Sequence, residues 1–329
     1  MAPRAPLTLL IGGLGFMVEE YAARVRARLP EIRVLPYPVL VEREGASPPE
    51  GIEDVDVVAS FNAYPVALPR ARHLKWFHVL MTGYDHILRS GLIPPGVTVT
   101  TSAGAVSIPI AEAVMGYLLF GVKKFRASLE NQRHHKHDRM LGQMRELHGR
   151  TIGILGLGHI GRAVAEKAKR GFGMTVLGYR RSGGRCRYVD RVYGRDGLDE
   201  LLRASDFLIL ALPHTPETEN LIGERELRLL KPSAYVVNVA RGEILNKAAF
   251  TRALKERWIA GGAIDVFWGD PIAATLAPDD ELWDLENLLI TDHNTTGTDR
   301  YVERTSELLC DNLERFLEGK RLKNVVTAR

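Results

Sequence analysis

Short apolar segments alternate with stretches of helical periodicity along most of the chain, a pattern typical of strands that alternate with helices. In the first hundred residues, the apolar segments predict strands at Leu7–Ile11, Ile32–Leu35, Val55–Ser60, Trp76–Leu80 and Val97–Thr100. A second series predicts strands at Thr151–Leu155, Thr175–Tyr179, Phe207–Leu212, Ala234–Val239, Ala260–Ile264 and Leu288–Thr291. Such alternation is typical of parallel, doubly wound sheets, so the pattern predicts an α/β protein with two of them.

The intervening segments predict helices, most of which separate two strands. They are Phe16–Leu29, Ile110–Leu129, Ile160–Arg170, Leu198–Arg203, Glu224–Leu230, Lys247–Arg257 and Tyr301–Leu317. Pro109 opens the longest of these helices, and the polar segment 131–138 ends it. A chain of 329 residues is long enough for two domains of roughly 150 residues each, which agrees with the two series of strands.

The composition does not change the predicted fold, but it excludes several other classes of protein. With 45% hydrophobic and 26% charged residues, the chain has an ordinary globular composition, which excludes disordered, collagen-like and coiled-coil proteins. The 44 basic and 40 acidic residues give a net charge of +4, and the basic residues are scattered, so we expect no nucleic-acid partner. Cys186 and Cys310 have no paired spacing, so we expect neither a disulfide framework nor a zinc site.

Two apolar runs raise the question of a targeting or membrane segment. Arg4 followed by Leu7–Val18 has the length of a signal-peptide core, but two glutamates follow at once and no small-residue cleavage site comes after them. A strand, a glycine turn and a helix explain the same residues. The run Ala113–Val122 is too short to span a bilayer. We therefore expect a cytoplasmic protein with no membrane partner.

A glycine motif follows the first strand of the second series and opens the next helix. In this motif, Gly156 permits a tight turn, Gly158 lets the backbone approach a pyrophosphate, and Gly161 lets the helix pack closely on the strand. His159 and Ile160 begin the helix, whose N-terminal N–H groups bind phosphate favourably. The context of strand, turn and helix predicts a dinucleotide site here.

The residues that end the second strand of this series bear on which dinucleotide is bound. An acidic residue there would bind a ribose 2′-hydroxyl, but the chain has Arg180, Arg181 and Ser182. Two guanidinium groups and a hydroxyl suit a 2′-phosphate, so NADP(H) is predicted to be preferred, with NAD(H) possible. The alternative is a solvated arginine-rich loop, since three more arginines follow within ten residues.

Four reactive side chains follow predicted strand ends, where ligands gather in a doubly wound sheet: Arg241, Asp265, Asp270 and His293. Arg241 suits the carboxylate of a 2-oxo acid, and His293 suits protonation of its carbonyl oxygen as hydride arrives. A carboxylate at Asp270 would stabilise the imidazolium form and raise its pKa. Each residue alone has a structural alternative, namely a surface ion pair, a structural histidine or a turn cap, but they converge beside a dinucleotide motif.

Several motifs resemble the D-isomer-specific 2-hydroxyacid dehydrogenase family, and glyoxylate/hydroxypyruvate reductases within it. They cover nearly the whole chain: Glu146–Thr151, Ser205-Asp206, Leu212-Pro213 with Thr215–Thr218, Val239–Gly242, Gly262–Phe267, Asp292-His293 and Lys323–Val326. The resemblance implies reduction of a small 2-oxo acid to the (R)-2-hydroxy acid. It implies Arg241, Asp270 and His293 as the catalytic set.

The resemblance also implies binding residues beyond the glycine motif. Asp265 would contact the nicotinamide carboxamide. Further cofactor contacts would come from Leu212, Pro213, Thr218, Val239 and Ala240. The backbone N–H groups of the loop Met81-Thr82-Gly83-Tyr84 would bind the substrate carboxylate.

The layout that the resemblance implies is a Rossmann cofactor domain, residues 105–296, inserted into a flavodoxin-like substrate domain, residues 1–104 and 297–329. It further implies a homodimer in which an arm at Ile110–Asp138 reaches across to the partner. The histidine-rich segment His134–His137 would then be a surface or interface segment, and no metal site is expected.

The chain departs from the family pattern at the acidic member of the catalytic set. The family usually has Glu, whereas Asp270 is one methylene shorter, so an acidic partner from Asp279-Asp280-Glu281 is an alternative. A residue other than glutamine here counts against formate dehydrogenase activity, and Thr82 in place of lysine counts against phosphite dehydrogenase activity. Two further alternatives stay open: a dinucleotide-sensing binding protein like the corepressors that resemble this family, or an inactive paralogue.

Overall fold

The structure is a computed structural model that describes residues 6–43, 45–139, 142, 144–269 and 275–326. It divides into two compact units, one formed by Met1–Val106 and Gly297–Arg329 and the other by Ser107–Thr296.

The strands, in chain order, are β1 (Thr8–Gly12), β2 (Arg33–Tyr37), β3 (Val57–Ser60), β4 (Trp76–Val79), β5 (Thr98–Thr101), β6 (Thr151–Leu155), β7 (Thr175–Tyr179), β8 (Arg191–Tyr193), β9 (Phe207–Leu210), β10 (Tyr235–Asn238), β11 (Gly261–Ile264), β12 (Leu288–Ile290) and β13 (Val325–Val326). The α-helices are α1 (Gly15–Arg28), α2 (Asp85–Arg89), α3 (Ser107–Val122), α4 (Phe125–Arg133), α5 (His159–Phe172), α6 (Leu198–Ala204), α7 (Glu224–Leu229), α8 (Lys247–Lys255) and α9 (Tyr301–Leu317).

The first unit is built on a six-stranded sheet of order β13-β5-β4-β3-β1-β2. Strands β1, β3 and β4 are buried along their whole length, as expected for strands that are covered on both faces and therefore read as continuous apolar runs. Helix α1 packs on α9, where the hydroxyls of Tyr21 and Thr305 are hydrogen-bonded in the core. These helices and strands fix the backbone from which the loop after β4 emerges.

The second unit has a seven-stranded sheet of order β12-β11-β10-β9-β6-β7-β8, and all its strand pairs are parallel. The strand order reverses between β6 and β9, so the carboxyl ends of these two strands form the topological switch point. Ligands of doubly wound sheets bind at such a point. The fold therefore places the glycine turn, which follows β6, where a dinucleotide is expected.

The structure corrects several details of the predicted elements. The single helix predicted at Ile110–Leu129 is wrong: α3 ends at Val122 and α4 starts at Phe125, because Lys124 adopts a left-handed conformation with φ of 55°. Strand β8 and helix α2 were not predicted. The first sheet is not parallel throughout, since β13, also unpredicted, pairs antiparallel with β5.

None of the helices in the described part of the chain combines the length and apolar character needed to cross a bilayer. Within the same residues, no group of three His, Cys, Asp or Glu side chains is arranged to hold a metal ion.

Candidate functional site

The glycine turn between β6 and α5 has the geometry of a phosphate-binding loop. Gly156 adopts φ of 99°, and a Cβ there would lie 2.5 Å from the carbonyl oxygen of Ala211. A Cβ at Gly161 would overlap the carbonyl oxygen of Gly156, whereas a Cβ at Gly158 would meet open space. Glycine is therefore required sterically at two positions, and the third leaves room for a ligand close to the backbone.

The first turn of α5 also suits an anion. Gly158 is its N-cap and supplies no side-chain hydrogen bond, and the first turn contains no acidic residue. His159 is exposed and Ile160 is half-buried. Burial and the nearby Arg162 lower the pKa of His159. The N–H groups and the partial positive charge of this helix end thus fit a pyrophosphate, and the residues present agree with a dinucleotide cofactor.

The two arginines after β7 have different environments. The half-buried Arg180 donates hydrogen bonds to the carbonyl oxygens of Gly183 and, at 3.2 Å, of Arg185, so its guanidinium shapes the loop. Arg181 and Ser182 are exposed. Adjacent positions that look equivalent in the sequence therefore differ, with Arg180 bound to its own loop and Arg181 at the surface.

The loop after β9 contains three further predicted cofactor contacts. Leu212 is half-buried and Pro213 is exposed. The Thr218 hydroxyl donates to the Pro213 carbonyl at 2.8 Å and accepts from the Thr215 N–H at 2.8 Å. Thr218 therefore fixes the shape of this loop.

Arg241 follows β10 in a tightly tied turn. The side-chain amide of Asn238, which is fully buried, donates to the Arg241 carbonyl at 2.9 Å, and its oxygen accepts from the Ala240 N–H at 3.0 Å. Val239 and Ala240 are buried beneath the turn. A Cβ at Gly242 would overlap the backbone of the segment after β11, so this glycine allows the two strand ends to lie close together.

Asp265, at the end of β11, is buried among hydroxyl groups. One carboxylate oxygen accepts from Thr291 at 2.7 Å and lies 3.4 Å from the Tyr117 hydroxyl, and the other accepts from Thr295 at 2.7 Å. Burial raises the pKa of Tyr117 to about 12, with the hydrogen bond to Thr291 acting against this shift. The carboxylate is thus held in one orientation.

His293 follows β12 with a left-handed backbone, φ of 53°. Desolvation by the surrounding protein lowers the pKa of the imidazole, although the residue as a whole is exposed. The Asp265 carboxylate opposes this decrease and the Arg241 guanidinium adds to it. The fold therefore brings Arg241, Asp265 and His293, predicted from the sequence, close enough to affect one another's charge.

Asp270, predicted to pair with His293, lies outside the described residues. The alternative acidic partners have other contacts: Asp280 binds Lys247 and Glu281 binds Lys255, both on α8. Burial alone would raise the pKa of Asp280, but hydrogen bonds from Lys247 and the Leu282 N–H, together with the positive charge of Lys247, lower it overall. Two of the three alternatives to Asp270 are thus bound to lysines.

The predicted substrate loop belongs to the first unit. Met81, Thr82 and Gly83 follow β4 and are half-buried. The Ser102 N–H donates to the Met81 carbonyl at 2.9 Å, and the Thr82 hydroxyl is buried with no hydrogen-bond partner among the described residues. Ser102, which directly follows β5, therefore anchors the Met81 end of the loop.

Sequence reasoning missed Asn238 and the three hydroxyl residues around Asp265. Asn238 carried a usable signal, because it is an amide at the end of an otherwise apolar strand segment. Tyr117 carried none, because it lies within a long apolar helix, 148 residues from Asp265.

The parallel sheet with a glycine turn at its switch point defines a dinucleotide-binding protein of the Rossmann class. The chain belongs to the D-isomer specific 2-hydroxyacid dehydrogenase family, whose NAD binding domain matches residues 115–295. The glyoxylate reductase of Thermococcus gammatolerans is 32% identical to it, over 97% of this chain and 94% of the relative. The predicted family is thereby confirmed, and the protein is an NAD(P)-dependent oxidoreductase.

Solved structures agree with this assignment. A D-isomer specific 2-hydroxyacid dehydrogenase from Xanthobacter autotrophicus Py2, in complex with NADPH and MES, is 25% identical with a TM-score of 0.85, covering 98% of each chain. An NADPH-dependent glyoxylate/hydroxypyruvate reductase from Sinorhizobium meliloti, in complex with NADP and sulfate, is 26% identical with a TM-score of 0.80, covering 97% of this chain and 98% of the other. The predicted α/β fold with a Rossmann domain is thereby confirmed.

Proposed function

We propose that this protein reduces a small 2-oxo acid to the (R)-2-hydroxy acid, with NADPH as the preferred reductant. The observation that carries the proposal is the position of Arg241, Asp265 and His293. These residues follow β10, β11 and β12, at the same edge of the sheet as the glycine turn. Relatives named as glyoxylate reductases make glyoxylate and hydroxypyruvate the first substrates to test.

Each side chain has a separate role in the proposed reaction. When bound, the dinucleotide supplies a hydride, which adds to the carbonyl carbon of the substrate. Arg241 binds the substrate carboxylate through its fixed charge and polarises the neighbouring carbonyl. His293 in its imidazolium form gives a proton to the carbonyl oxygen, becomes neutral, and is reprotonated from solvent. The product is the alcohol.

Asp265 would accept a hydrogen bond from the nicotinamide carboxamide, and Asp270 would stabilise the imidazolium of His293. Leu212, Pro213, Thr218, Val239 and Ala240 remain predicted cofactor contacts. The loop Met81–Gly83 remains a predicted substrate contact.

The preference for NADPH is supported by the residues after β7 and by the NADPH and NADP complexes of similar proteins. Because the Arg180 guanidinium already binds loop carbonyls, we assign the main contact with the 2′-phosphate to Arg181. Arg181→Gln should therefore weaken NADPH about tenfold or more and leave NADH nearly unchanged, given about 1.5–3 kcal/mol for a charged hydrogen bond. Arg180→Gln should disturb the loop and weaken both. Equal losses of both cofactors in Arg181→Gln would contradict the assignment.

The proposed activity is tested by the loss of reduced-nicotinamide absorbance with glyoxylate, hydroxypyruvate, pyruvate and bulkier 2-oxo acids. Arg241→Gln should raise KM steeply and lower kcat, and His293→Asn should act mainly on kcat. Arg26→Gln, at an exposed arginine of α1, is the matched control. Tight NADPH binding without turnover of any acid would contradict the proposal and favour a dinucleotide sensor. Wild-type kcat in His293→Asn would refute the assigned proton donor.

We further propose that the protein is a cytoplasmic homodimer in which the α3–α4 region contacts the partner. Three large apolar side chains there are 45–50% exposed, namely Ile108, Phe125 and Leu129. Exposed apolar groups in one region favour an interface. Phe125→Glu with Leu129→Glu should convert the dimer to a monomer in light scattering after gel filtration, and a monomeric wild type would refute the proposal.

A further inference from the structure

We infer that the hydroxyls of Tyr117, Thr291 and Thr295 fix the Asp265 carboxylate as the hydrogen-bond acceptor for the nicotinamide carboxamide. This makes them positioning residues for the cofactor. The inference rests on the proposed function, in which Asp265 contacts that amide.

The backbone and side chain of Asp265 are both held. Its N–H donates to the Asn238 carbonyl at 3.0 Å, so the main chain at the end of β11 cannot shift without breaking this bond. The residue is 2% exposed, and hydroxyl donors engage both of its carboxylate oxygens. Rotation of the carboxylate about its Cβ–Cγ bond would break at least two bonds. The group is therefore preorganised before a cofactor binds.

The direction of each hydroxyl bond follows from its single proton. The Thr291 oxygen lies 2.7 Å from the Asp265 carboxylate but 3.3 Å from the Ile264 carbonyl, so its proton goes mainly to the carboxylate. The Tyr117 oxygen is 3.0 Å from the Thr291 oxygen, which can accept because its own proton is used. The result is a chain in which Tyr117 donates to Thr291 and Thr291 donates to Asp265.

An ionised carboxylate accepts about four hydrogen bonds and donates none. Thr291 and Thr295 donate one bond each, and the Tyr117 oxygen at 3.4 Å is at most a weak third contact, so at least one acceptor direction on Asp265 is unused. A carboxamide NH2 is a donor that fits such a position, whereas an acceptor group there would be repelled. Asp265 would thereby help to orient the nicotinamide ring toward the substrate, because the carboxamide is attached to that ring.

The test compares two dinucleotides that differ only at the carboxamide. NADPH has the amide N–H, and the reduced 3-acetylpyridine analogue has a methyl ketone in its place. Dissociation constants are measured by calorimetric titration of the whole protein with each dinucleotide. Thr295→Val removes the hydroxyl with little change of shape. It should weaken NADPH about tenfold and the analogue less than about twofold.

Three further variants make the result specific. Thr295→Ser retains the hydroxyl and should restore wild-type affinity for NADPH. Tyr117→Phe should show the same selective loss as Thr295→Val, but smaller, because its oxygen acts mainly through Thr291. Thr251→Val removes a buried hydroxyl that donates to the Lys247 carbonyl at 2.9 Å and should change neither constant.

Equal weakening of both dinucleotides in Thr295→Val, or no weakening of either, would overturn the inference. A wild-type protein that binds both dinucleotides equally well would also overturn it while leaving 2-oxo acid reduction intact. Failure of the proposed function has a different signature, namely no turnover of any 2-oxo acid by the wild type. Loss of NADPH affinity in the variant with an unchanged KM for the 2-oxo acid supports the inference.

Discussion

His78 is a fully buried histidine on β4, and the structure predicts that it makes the protein sensitive to acid. The Trp76 indole N–H donates to the Thr100 hydroxyl at 2.7 Å, and an indole can only donate. The Thr100 proton is then available for His78 Nδ1, at 2.7 Å. Nε2–H donates to Ser102 at 3.0 Å, and the Ser102 hydroxyl donates to a backbone carbonyl. A second proton on His78 would break this chain.

The size of the expected loss of stability follows from the shifted pKa of His78. Burial lowers the pKa of His78 from 6.5 to about 3. Between these values the unfolded chain binds a proton that the native state does not, so stability falls as the pH falls below 6.5. The loss attributable to His78 is about 2 kcal/mol at about pH 5 and approaches about 5 kcal/mol near about pH 3.

The assay is the free energy of unfolding from denaturant titrations, measured between about pH 7.5 and about pH 5 at constant ionic strength. His78→Gln replaces the imidazole with an amide that does not titrate, so its loss of stability over this range should be about 2 kcal/mol smaller than that of the wild type. Ser102→Ala should destabilise at every pH but retain the wild-type dependence. His73→Gln, at an exposed histidine of the same unit, is the control. Parallel curves for wild type and His78→Gln would refute the reasoning.

Three other outcomes are expected. Gly161→Ala should abolish dinucleotide binding in calorimetry, because its methyl group would push α5 away from the glycine turn; retained affinity would contradict this. Trp258→Leu should lower the free energy of unfolding by about 1–2 kcal/mol, since the Arg228 guanidinium lies 3.6 Å from its ring centroid, and an unchanged value would show that this contact contributes nothing. The kcat/KM for reduction should fall as the pH rises through the pKa of His293, which lies below its usual value of 6.5, because His293 must be protonated to act as the proton donor. Asp265→Asn removes a negative charge near the imidazole and should move this decrease to lower pH; a shift to higher pH would contradict the charge effect.

The buried strands could be predicted from the sequence because burial on both faces leaves a run of apolar residues. Strands β9 and β10 are buried throughout and were predicted within a few residues. Strand β8 is different, because it lies at the sheet edge with Arg191 exposed and paired to Glu200. A three-residue edge strand with a charged start has no periodic signature.

The break between α3 and α4 could not be predicted either. Neither glycine nor proline stands at Lys123-Lys124, and Lys124 adopts its left-handed conformation without either of these signals. The described part of α4 buries no residue, so its direction is not set by an apolar face that the sequence would reveal. Local propensity alone continues the helix, and only the tertiary structure ends it.

In the candidate site, too, the sequence predicts one part, the identity of the residues, but not the other, their orientation. Arg241, Asp265 and His293 could be singled out because each follows a strand, and parallel strands bring their carboxyl ends to one edge. Their orientation could not be predicted, because it depends on hydrogen-bond partners from distant segments. Thr291 and Thr295 come from the strand end beside β11, and Tyr117 comes from α3.

His78 and Asp265 show how the same kind of neighbour can take different hydrogen-bonding roles. A hydroxyl both donates and accepts, so its role is set by the group that it faces. Around His78, one hydroxyl donates to a ring nitrogen and another accepts from the other nitrogen, an arrangement that only the neutral imidazole satisfies. Around Asp265, the Thr291 and Thr295 hydroxyls donate to the two carboxylate oxygens, which accept these bonds. Replacing a hydroxyl by a methyl group should therefore disturb His78 through packing and stability, but Asp265 through its capacity to bind a donor.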